Sequence, residues 1–255
     1  KPIVAKLHGY KNKKIEIKNR SEMDEVLATI DNATYSISEI KKGERIKKSP
    51  LPFTTSTLQQ EASKTLNFST QKTMRLAQQL YEGVDIAGKG TIGIITYLRT
   101  DSTRVADEAV TMAADYIKDN YGEKYLSTAK TGGKDAKKIQ DAHEAIRPTD
   151  IALSPVVVKE SLSRDQFRLY QLIWKRFTAS QMSGAVYETT SVKIAAGKYR
   201  FNVSASKIIF DGFMSVYKDE DEEKDGNTLV KSINTDSVLS LDNLESSQHF
   251  TQPPA

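Results

Sequence analysis

Tyr97 and Arg99 are the residues whose types and spacing most clearly suggest chemistry. They lie two positions apart in an apolar segment, and residues two apart in extended backbone point to the same face. A phenol is mostly protonated at neutral pH and becomes a good nucleophile only when a cation stabilises its anion. The guanidinium of Arg99 can do this and can also hold a phosphate through two contacts. The pair is therefore typical of attack on a phosphodiester, although this spacing also occurs in residues that only pack and pair.

A run of three residues that commonly cap helices follows this pair. We expect the next helix to begin at 100–102 and its first amides to favour an anion near Tyr97 and Arg99. The same helix is predicted to end at Gly122, because glycine commonly terminates helices. The three capping residues are Thr100, Asp101 and Ser102.

A second candidate group contains His143 and Arg147. On a helical turn these two residues share a face at i and i+4, and Pro148 ends the turn soon afterwards. A histidine can donate a proton or a hydrogen bond to a phosphate oxygen, and an arginine can neutralise one. The pattern is equally typical of the end of a surface helix with ordinary ion pairs.

Two charged segments carry less specific signals. The acidic run Asp219–Asp225 has enough carboxylates to bind a divalent cation, but it lacks a glycine-anchored ligand loop, so we predict a solvated loop. The lysine-rich segment 130–138 is predicted to be a surface loop, with contact to a phosphate backbone as the alternative.

The elements that must position these residues predict an α+β fold. Alternating apolar residues predict strands before Lys48, and a β-hairpin that turns at Ala196–Lys198. The sheet is predicted to extend through 208–210 and 213–217, with further strands at 229–230 and 238–241. A helical domain, 58–183, is thus expected to be inserted into a discontinuous β-rich domain formed by 1–57 and 184–255.

Capping signals locate several helices of the middle segment. Capping boxes at Thr57–Gln60 and Ser163–Gln166 predict two helix starts. A turn at Asn67–Ser69 separates the first helix from a second, which carries Tyr81 on its apolar face and ends at Gly83. Two short helices joined in this way have a helix-turn-helix shape.

Composition excludes several classes of protein. The 255 residues include no cysteine, which excludes disulfides, thiolate zinc sites and cysteine nucleophiles. No run of about 20 apolar residues is present, as a membrane-spanning helix would need. The net charge of +4 permits a nucleic-acid partner without establishing one. Because the chain starts without methionine and ends in a loop-like segment, we expect a piece of a longer protein.

Four stretches resemble motifs of the type IA DNA topoisomerases. Gly93–Ser102, with the letters GIITYLRTDS, resembles the active-site signature of this family, and His143 follows Tyr97 at a familiar distance. The leucine after Tyr97 makes the chain more similar to bacterial topoisomerase I than to topoisomerase III, which usually has proline there. The other three stretches resemble the segment leading into the gate domain, the histidine motif and the last gate helix; they are Pro52–Ala62, Asp141–Pro148 and Tyr170–Phe177.

The resemblance implies a role for each candidate residue. Tyr97 would attack one DNA strand and form a 5′-phosphotyrosine link, Arg99 would hold the scissile phosphate, and His143 would assist at that phosphate. A strand would then pass and the break would be resealed, which relaxes negative supercoils without ATP. The resemblance also implies that the helical domain is the gate domain and that the discontinuous β-rich domain is the arch domain. Residues implied to contact DNA are Arg99, Arg147, Thr100 and Ser102.

The resemblance does not extend to the family's Toprim domain. That domain carries the carboxylates that bind Mg²⁺, so no metal ligands are expected in this chain. The chain alone is not expected to relax DNA, because half of the catalytic site would come from the Toprim domain of the same polypeptide. The implied partners are single-stranded and negatively supercoiled DNA, without a membrane, in the bacterial cytoplasm.

Two other readings use the same residues. A non-catalytic helix-turn-helix module would read bases with the second helix of the pair, through Gln71, Lys72, Arg75, Gln78 and Gln79. It leaves the GIITYLRTDS string unexplained. A tyrosine recombinase would need several catalytic arginines and histidines before the tyrosine, and only one histidine, His8, precedes Tyr97.

Overall fold

The chain has the mixed architecture that the sequence predicts. The computed structural model describes residues 3–10, 13–127, 143–218 and 233–247. Short 3₁₀ turns lie at Glu123–Tyr125, Lys159–Ser161 and Gly212–Ser215. The helices and strands of the described residues are β1 (Lys6–Tyr10), β2 (Lys13–Lys14), α1 (Arg20–Asp31), β3 (Tyr35–Lys47), α2 (Thr55–Leu66), α3 (Thr70–Glu82), β4 (Val84–Ile86), β5 (Gly90–Ile92), α4 (Asp107–Tyr121), α5 (Pro155–Val158), α6 (Arg164–Ser180), β6 (Ala185–Ala196) and β7 (Tyr199–Phe210).

The strands form one large sheet and one small ribbon. The large sheet has the order β2-β1-β7-β6-β3, and β4 pairs with β5 in an antiparallel ribbon. Helices together with an antiparallel sheet confirm the predicted α+β class. None of the helices in the described part of the chain is long and apolar enough to cross a membrane.

The described residues fall into two compact units. The β-rich unit contains the described parts of 1–45, 187–207 and 221–255, and the helical unit contains those of 46–186 and 208–220. The helical unit is therefore longer than the predicted range 58–183. Phe53 explains the earlier start, since its side chain is 1% exposed within the helical core. Tyr217, which lies in the second segment of the helical unit, 208–220, packs against the same core.

In the β-rich unit, α1 packs on one face of the sheet. Val26 and Ile30 of α1 are buried against alternate residues of β6 and β7, as the period of two in those strands requires. The helix begins at Arg20, because the side chain of Asn19 caps the amide of Glu22.

The predicted hairpin is the connection between β6 and β7. Gly197 lies in its turn with φ of +56°, a conformation that glycine adopts without steric cost. Strand β7 includes 208–210 as predicted. The prediction was wrong for 213–217, which begins with a 3₁₀ turn, and for 238–241, which is not a strand; 229–230 lies outside the described residues.

In the helical unit, α2, α3 and α6 share one core. The turn between α2 and α3 has Asn67 in the left-handed conformation, and Gly83 ends α3, so both predicted signals are confirmed. Helix α6 begins with the predicted Ser163–Gln166 capping box. The start of α2 was predicted wrongly: its capping box joins Thr54 to Thr57, one turn earlier. Among the largest fully buried side chains of this core are Phe53, Leu58, Leu80, Tyr170 and Phe177.

We expect Gly212→Ala to destabilise the helical unit more than Gly88→Ala does. Both glycines have positive φ, but a Cβ at Gly88 would meet open space, whereas at Gly212 it would lie 2.5 Å from the carbonyl oxygen of Gly184. The left-handed conformation alone costs about 1–2 kcal/mol for alanine, and the clash should bring the Gly212 variant to roughly 3 kcal/mol. Urea unfolding, monitored by the fluorescence of Trp174, the only tryptophan, measures the free energy of unfolding of both variants. Equal losses would contradict a role for the close approach at Gly212.

Candidate active site

Tyr97 and Arg99 are exposed residues of the loop that follows β5. The Tyr97 side chain is 39% exposed, Leu98 between them is only 2% exposed, and Arg99 is exposed. The expectation that the phenol and the guanidinium share a face stays a prediction, because the backbone bends at Leu98 and Arg99. Arg99 has no hydrogen bond or ion pair with any residue that the structure describes.

Two aromatic rings flank the ring of Tyr97. The imidazole of His143 is stacked on it, with ring centroids 5.2 Å apart and planes at 29°. The ring of Tyr81 makes an edge contact, with centroids 5.6 Å apart and planes at 67°. The structure thus brings together Tyr97 and His143, which are far apart in the sequence, and adds Tyr81.

Threonine hydroxyls hold the Tyr97 loop from two sides. On one side, Thr96 Oγ1 donates to the carbonyl oxygen of Ala145 at 2.7 Å and accepts from the amide of Arg147 at 3.0 Å. On the other side, Thr55 Oγ1 in the first turn of α2 donates to the carbonyl oxygen of Leu98 at 2.7 Å. The same Oγ1 accepts from the amide of Thr100 at 2.8 Å. Helix α2 and the segment after His143 therefore fix the backbone on both sides of Tyr97.

The segment 143–148 is extended, so the predicted helical turn is wrong. Ile146 forms an antiparallel bridge with Phe53, and Pro148 forms one with Ile95. Ala145 and Ile146 are both fully buried, which a surface helical turn would not allow. His143 is placed against Tyr97 by this paired backbone and not by i,i+4 spacing with Arg147.

The helix expected to start at 100–102 begins at Asp107, after the N-cap residue Ala106. The capping-type hydroxyls act in turns: Thr100 Oγ1 accepts from the amide of Ser102, and Ser102 Oγ accepts from the amide of Arg104. Both residues are at most 9% exposed. The amides of a helix start are therefore not the anion site that the sequence predicts beside Tyr97.

Arg147 is engaged by the neighbouring Glu144. Its Nε and one terminal nitrogen donate to the two oxygens of Glu144 at 2.9 and 2.8 Å, and its other terminal nitrogen donates to the carbonyl oxygen of Pro148. Its side chain is 11% exposed. The predicted contact of Arg147 with DNA stays a prediction, and in this structure its guanidinium faces a carboxylate.

Glu144, in the segment 143–148, forms a hydrogen bond with the start of α4. Its Oε2 accepts from the amide of Ala106 at 3.1 Å, which supplies the cap that no local side chain provides. Burial alone would raise the pKa of Glu144. Hydrogen bonds from Arg147 and the Ala106 amide, with the charges of Arg147 and Arg104, outweigh burial and lower the pKa of this carboxyl.

We expect Glu144→Gln to destabilise the helical unit at neutral pH by about 1–2 kcal/mol, as expected for charge-assisted hydrogen bonds. Because the folded-state pKa of Glu144 is lowered, its contribution is complete above the unfolded-state value of about 4.3 and is lost as the pH falls through the folded-state pKa. The difference between wild type and variant should shrink between pH 6 and pH 3. Urea unfolding at several pH values measures it, with the exposed Glu160→Gln as control. A difference independent of pH would contradict this role.

An open groove of about 500 Å³ lies along α2. Its first lining residue, Ser56, follows Thr55, the residue that holds the Tyr97 loop. All six lining residues are of polar types, one of them lysine, and side chains of these types can contact phosphate oxygens. The lining residues are Ser56, Gln59, Gln60, Ser63, Lys64 and Thr70.

Within the described residues, no group of three or more histidine, aspartate or glutamate side chains is arranged to hold a metal ion. Glu144, the carboxylate nearest in sequence to His143, is already bound to Arg147. The acidic run Asp219–Asp225 and the lysine-rich segment 130–138 lie outside the described residues.

Sequence reasoning missed the residues that support Tyr97. Tyr81 was assigned to an apolar helix face, although its side chain is 39% exposed. Thr55 and Thr96 lie within recognised motifs, but their hydroxyls act on residues more than 40 positions away. Glu144 stands next to His143, but no signal in the sequence showed its role, because the helix start that it caps was predicted at 100–102 and not at Asp107.

The polar face of α3 is partly used within the chain. Lys72 pairs with Asp165, Gln78 donates to Glu82, and Gln79 accepts from Gln166. Three of the five side chains that would read bases in a helix-turn-helix module thus have intramolecular partners. This observation weighs against the non-catalytic alternative.

Comparison with known proteins assigns the class. A family model described as DNA topoisomerase matches residues 4–255, and the chain therefore belongs to the DNA topoisomerase family. The chain is also similar to full-length topoisomerase I from Thermotoga maritima, with 41% identity and a TM-score of 0.69. The match covers 85% of this chain and 34% of that one, so the chain spans about a third of the relative's length. These findings confirm the resemblance to bacterial type IA topoisomerases.

Proposed function

We propose that this chain carries the nucleophile of a type IA DNA topoisomerase. Tyr97 attacks one strand of DNA, another strand passes through the break, and the break is resealed, which relaxes negative supercoils without ATP. The observation that supports this most directly is the exposed ring of Tyr97 stacked against His143, two residues before the exposed Arg99.

The proposed chemistry is a transfer of one phosphodiester bond. The phenol of Tyr97 releases its proton to solvent and its oxygen forms a bond to phosphorus, while the bond from phosphorus to the 3′ oxygen breaks. The 3′ oxygen takes up a proton, which leaves a 5′-phosphotyrosine and a free 3′ hydroxyl. Arg99 neutralises charge on the phosphate oxygens. His143 donates a hydrogen bond or a proton at the same phosphate. Resealing is the reverse reaction, and it needs no ATP because the phosphotyrosine link conserves the bond energy.

Contacts with single-stranded DNA are proposed to extend from Arg99 along the polar groove of α2. Thr100 and Ser102 contribute to DNA binding by shaping the loop, since their hydroxyl oxygens accept hydrogen bonds from backbone amides within it. Arg147 contributes to DNA binding only if it exchanges its contact with Glu144 for a phosphate. We place the reaction in the bacterial cytoplasm, on negatively supercoiled DNA.

We further propose that Mg²⁺ and part of the catalytic site belong to a Toprim domain outside this chain. The relative from Thermotoga maritima is about three times as long as the matched region, and the described residues contain no group of three or more side chains arranged to hold a metal ion. The chain alone is then expected to bind single strands weakly and not to relax a plasmid. Relaxation of supercoiled plasmid by the pure chain would contradict this part of the proposal.

The test mixes the chain with a separately prepared Toprim-containing partner, Mg²⁺ and a labelled single-stranded oligonucleotide. A label at the 3′ end should appear in a protein adduct that survives denaturant, whereas a label at the 5′ end should leave with the free fragment. The two labels are matched controls for the polarity of the link. Failure to form an adduct, or retention of the 5′ label on the protein, would contradict the proposed reaction.

A further inference from the structure

We propose that Tyr81 is a positioning residue for Tyr97. This inference rests on the proposed role of Tyr97 as nucleophile and adds a residue that the active-site motif does not contain. The ring of Tyr81 meets the ring of Tyr97 at 67° with centroids 5.6 Å apart, and the ring of Tyr97 also stacks on the imidazole of His143.

The Tyr97 side chain needs such support because it is on an exposed loop. A half-exposed side chain populates several staggered rotamers, and only the one that presents Oη to phosphorus is productive. Edge-to-face contact is a favoured arrangement of aromatic rings, since the positive edge of one meets the negative face of the other. With His143 and Tyr81 in place, two contacts at different angles restrict the ring.

Tyr81 is itself held by the segment that carries Tyr97. The amide of Ile94 donates to the carbonyl oxygen of Leu80 at 2.9 Å. Gly93 passes so close to Tyr81 that a Cβ there would be 2.4 Å from the carbonyl oxygen of Tyr81. The end of α3 and the loop from Gly93 to Tyr97 therefore keep a fixed separation.

Core packing does not explain the Tyr81 ring. Leu80, its neighbour on α3, is fully buried and belongs to the core of the helical unit. Tyr81 is 39% exposed and is not part of that core. An exposed aromatic ring near a phosphodiester can also stack on a nucleobase. Because the observed partner is the nucleophile's own ring, we favour positioning, and base stacking becomes an outcome of the test.

The experiment compares wild type, Tyr81→Phe and Tyr81→Leu in the adduct assay with the Toprim-containing partner. The rate of adduct formation at saturating oligonucleotide and the dissociation constant of the oligonucleotide are measured separately. We expect Tyr81→Leu to lower the saturated rate by about 10-fold, as for a misplaced reacting group. The dissociation constant of Tyr81→Leu should change by less than about two-fold. Tyr81→Phe, which keeps the ring, should form the adduct at the wild-type rate. Tyr121→Leu, which removes a tyrosine that contacts Tyr125 instead, is the matched control.

Four results would overturn the inference. A weaker dissociation constant with an unchanged saturated rate would make Tyr81 a base-stacking residue, and no change in either quantity would leave it without a role. If the leucine variant does not fold, a second measurement replaces it: nuclear Overhauser spectra of the wild type should show cross-peaks between the Tyr81 and Tyr97 rings. The absence of these cross-peaks overturns the proposal. A wild-type chain that forms no adduct would instead refute the proposed function, and this inference would be refuted with it.

Discussion

Replacing Tyr97 with phenylalanine is expected to reduce the covalent protein–DNA adduct to background, a loss of at least about 1,000-fold, because the variant lacks the nucleophilic oxygen. Phenylalanine keeps the ring that contacts Tyr81 and His143. The melting temperature and the affinity for single-stranded oligonucleotide should therefore stay close to those of wild type. The adduct assay with a 3′-labelled strand measures the loss.

Tyr121→Phe is the control for this substitution. Its ring lies beside Tyr125 and it belongs to none of the motifs that resemble the family. The control should form the adduct at the wild-type rate. An adduct that persists in Tyr97→Phe would remove Tyr97 from its proposed role, whatever the other variants show.

Gly93→Ala is expected to have the second largest effect, because it acts on both stability and reactivity. The new Cβ would lie 2.4 Å from the carbonyl oxygen of Tyr81, a backbone atom at the end of α3. The loop must move away, which strains the hydrogen bond from the Ile94 amide to Leu80. We expect a loss of about 2–4 kcal/mol in the free energy of unfolding. The rate of adduct formation should fall about 100-fold, the effect of displacing a reacting group by about 1 Å.

Urea unfolding and the adduct rate are measured on the same preparation. Gly43→Ala is the control for the adduct rate, since a Cβ at Gly43 would meet only Thr189 Oγ1 at an ordinary 3.6 Å. A Gly93→Ala variant with wild-type stability and rate would show that the close approach of the loop to α3 does not position Tyr97.

Local signals were sufficient for several elements of the fold. The Ser163–Gln166 capping box gave the start of α6, and Gly83 gave the end of α3, because the hydrogen bonds concerned join residues within one turn. The hairpin turn at Gly197 was equally local. Tyr97 and Arg99 are both exposed and Leu98 between them is buried, but the backbone bends at Leu98 and Arg99, so their shared face stays a prediction.

Signals that depend on distant residues were misread. The capping-type residues 100–102 predicted a helix start, but α4 begins at Asp107, where Glu144 caps it from 38 positions away. His143 was placed on a helical turn, whereas buried pairing with Phe53 and Ile95 keeps that segment extended. Spacing within a short window cannot reveal such pairing. Tyr81 was predicted on an apolar face because the spacing of residues within α3 does not reveal its partner, Tyr97, which another segment contributes.

The most direct test of the account identifies the atom that carries the DNA. Trypsin cleaves after Lys89 and Arg99, and the peptide between these sites, Gly90–Arg99, contains Tyr97 as its only tyrosine. Mass spectrometry of the digested wild-type adduct should find the nucleotide mass on this peptide, with fragmentation placing it on Tyr97. Nucleotide attached to any other peptide, or to another residue of this one, would contradict the account.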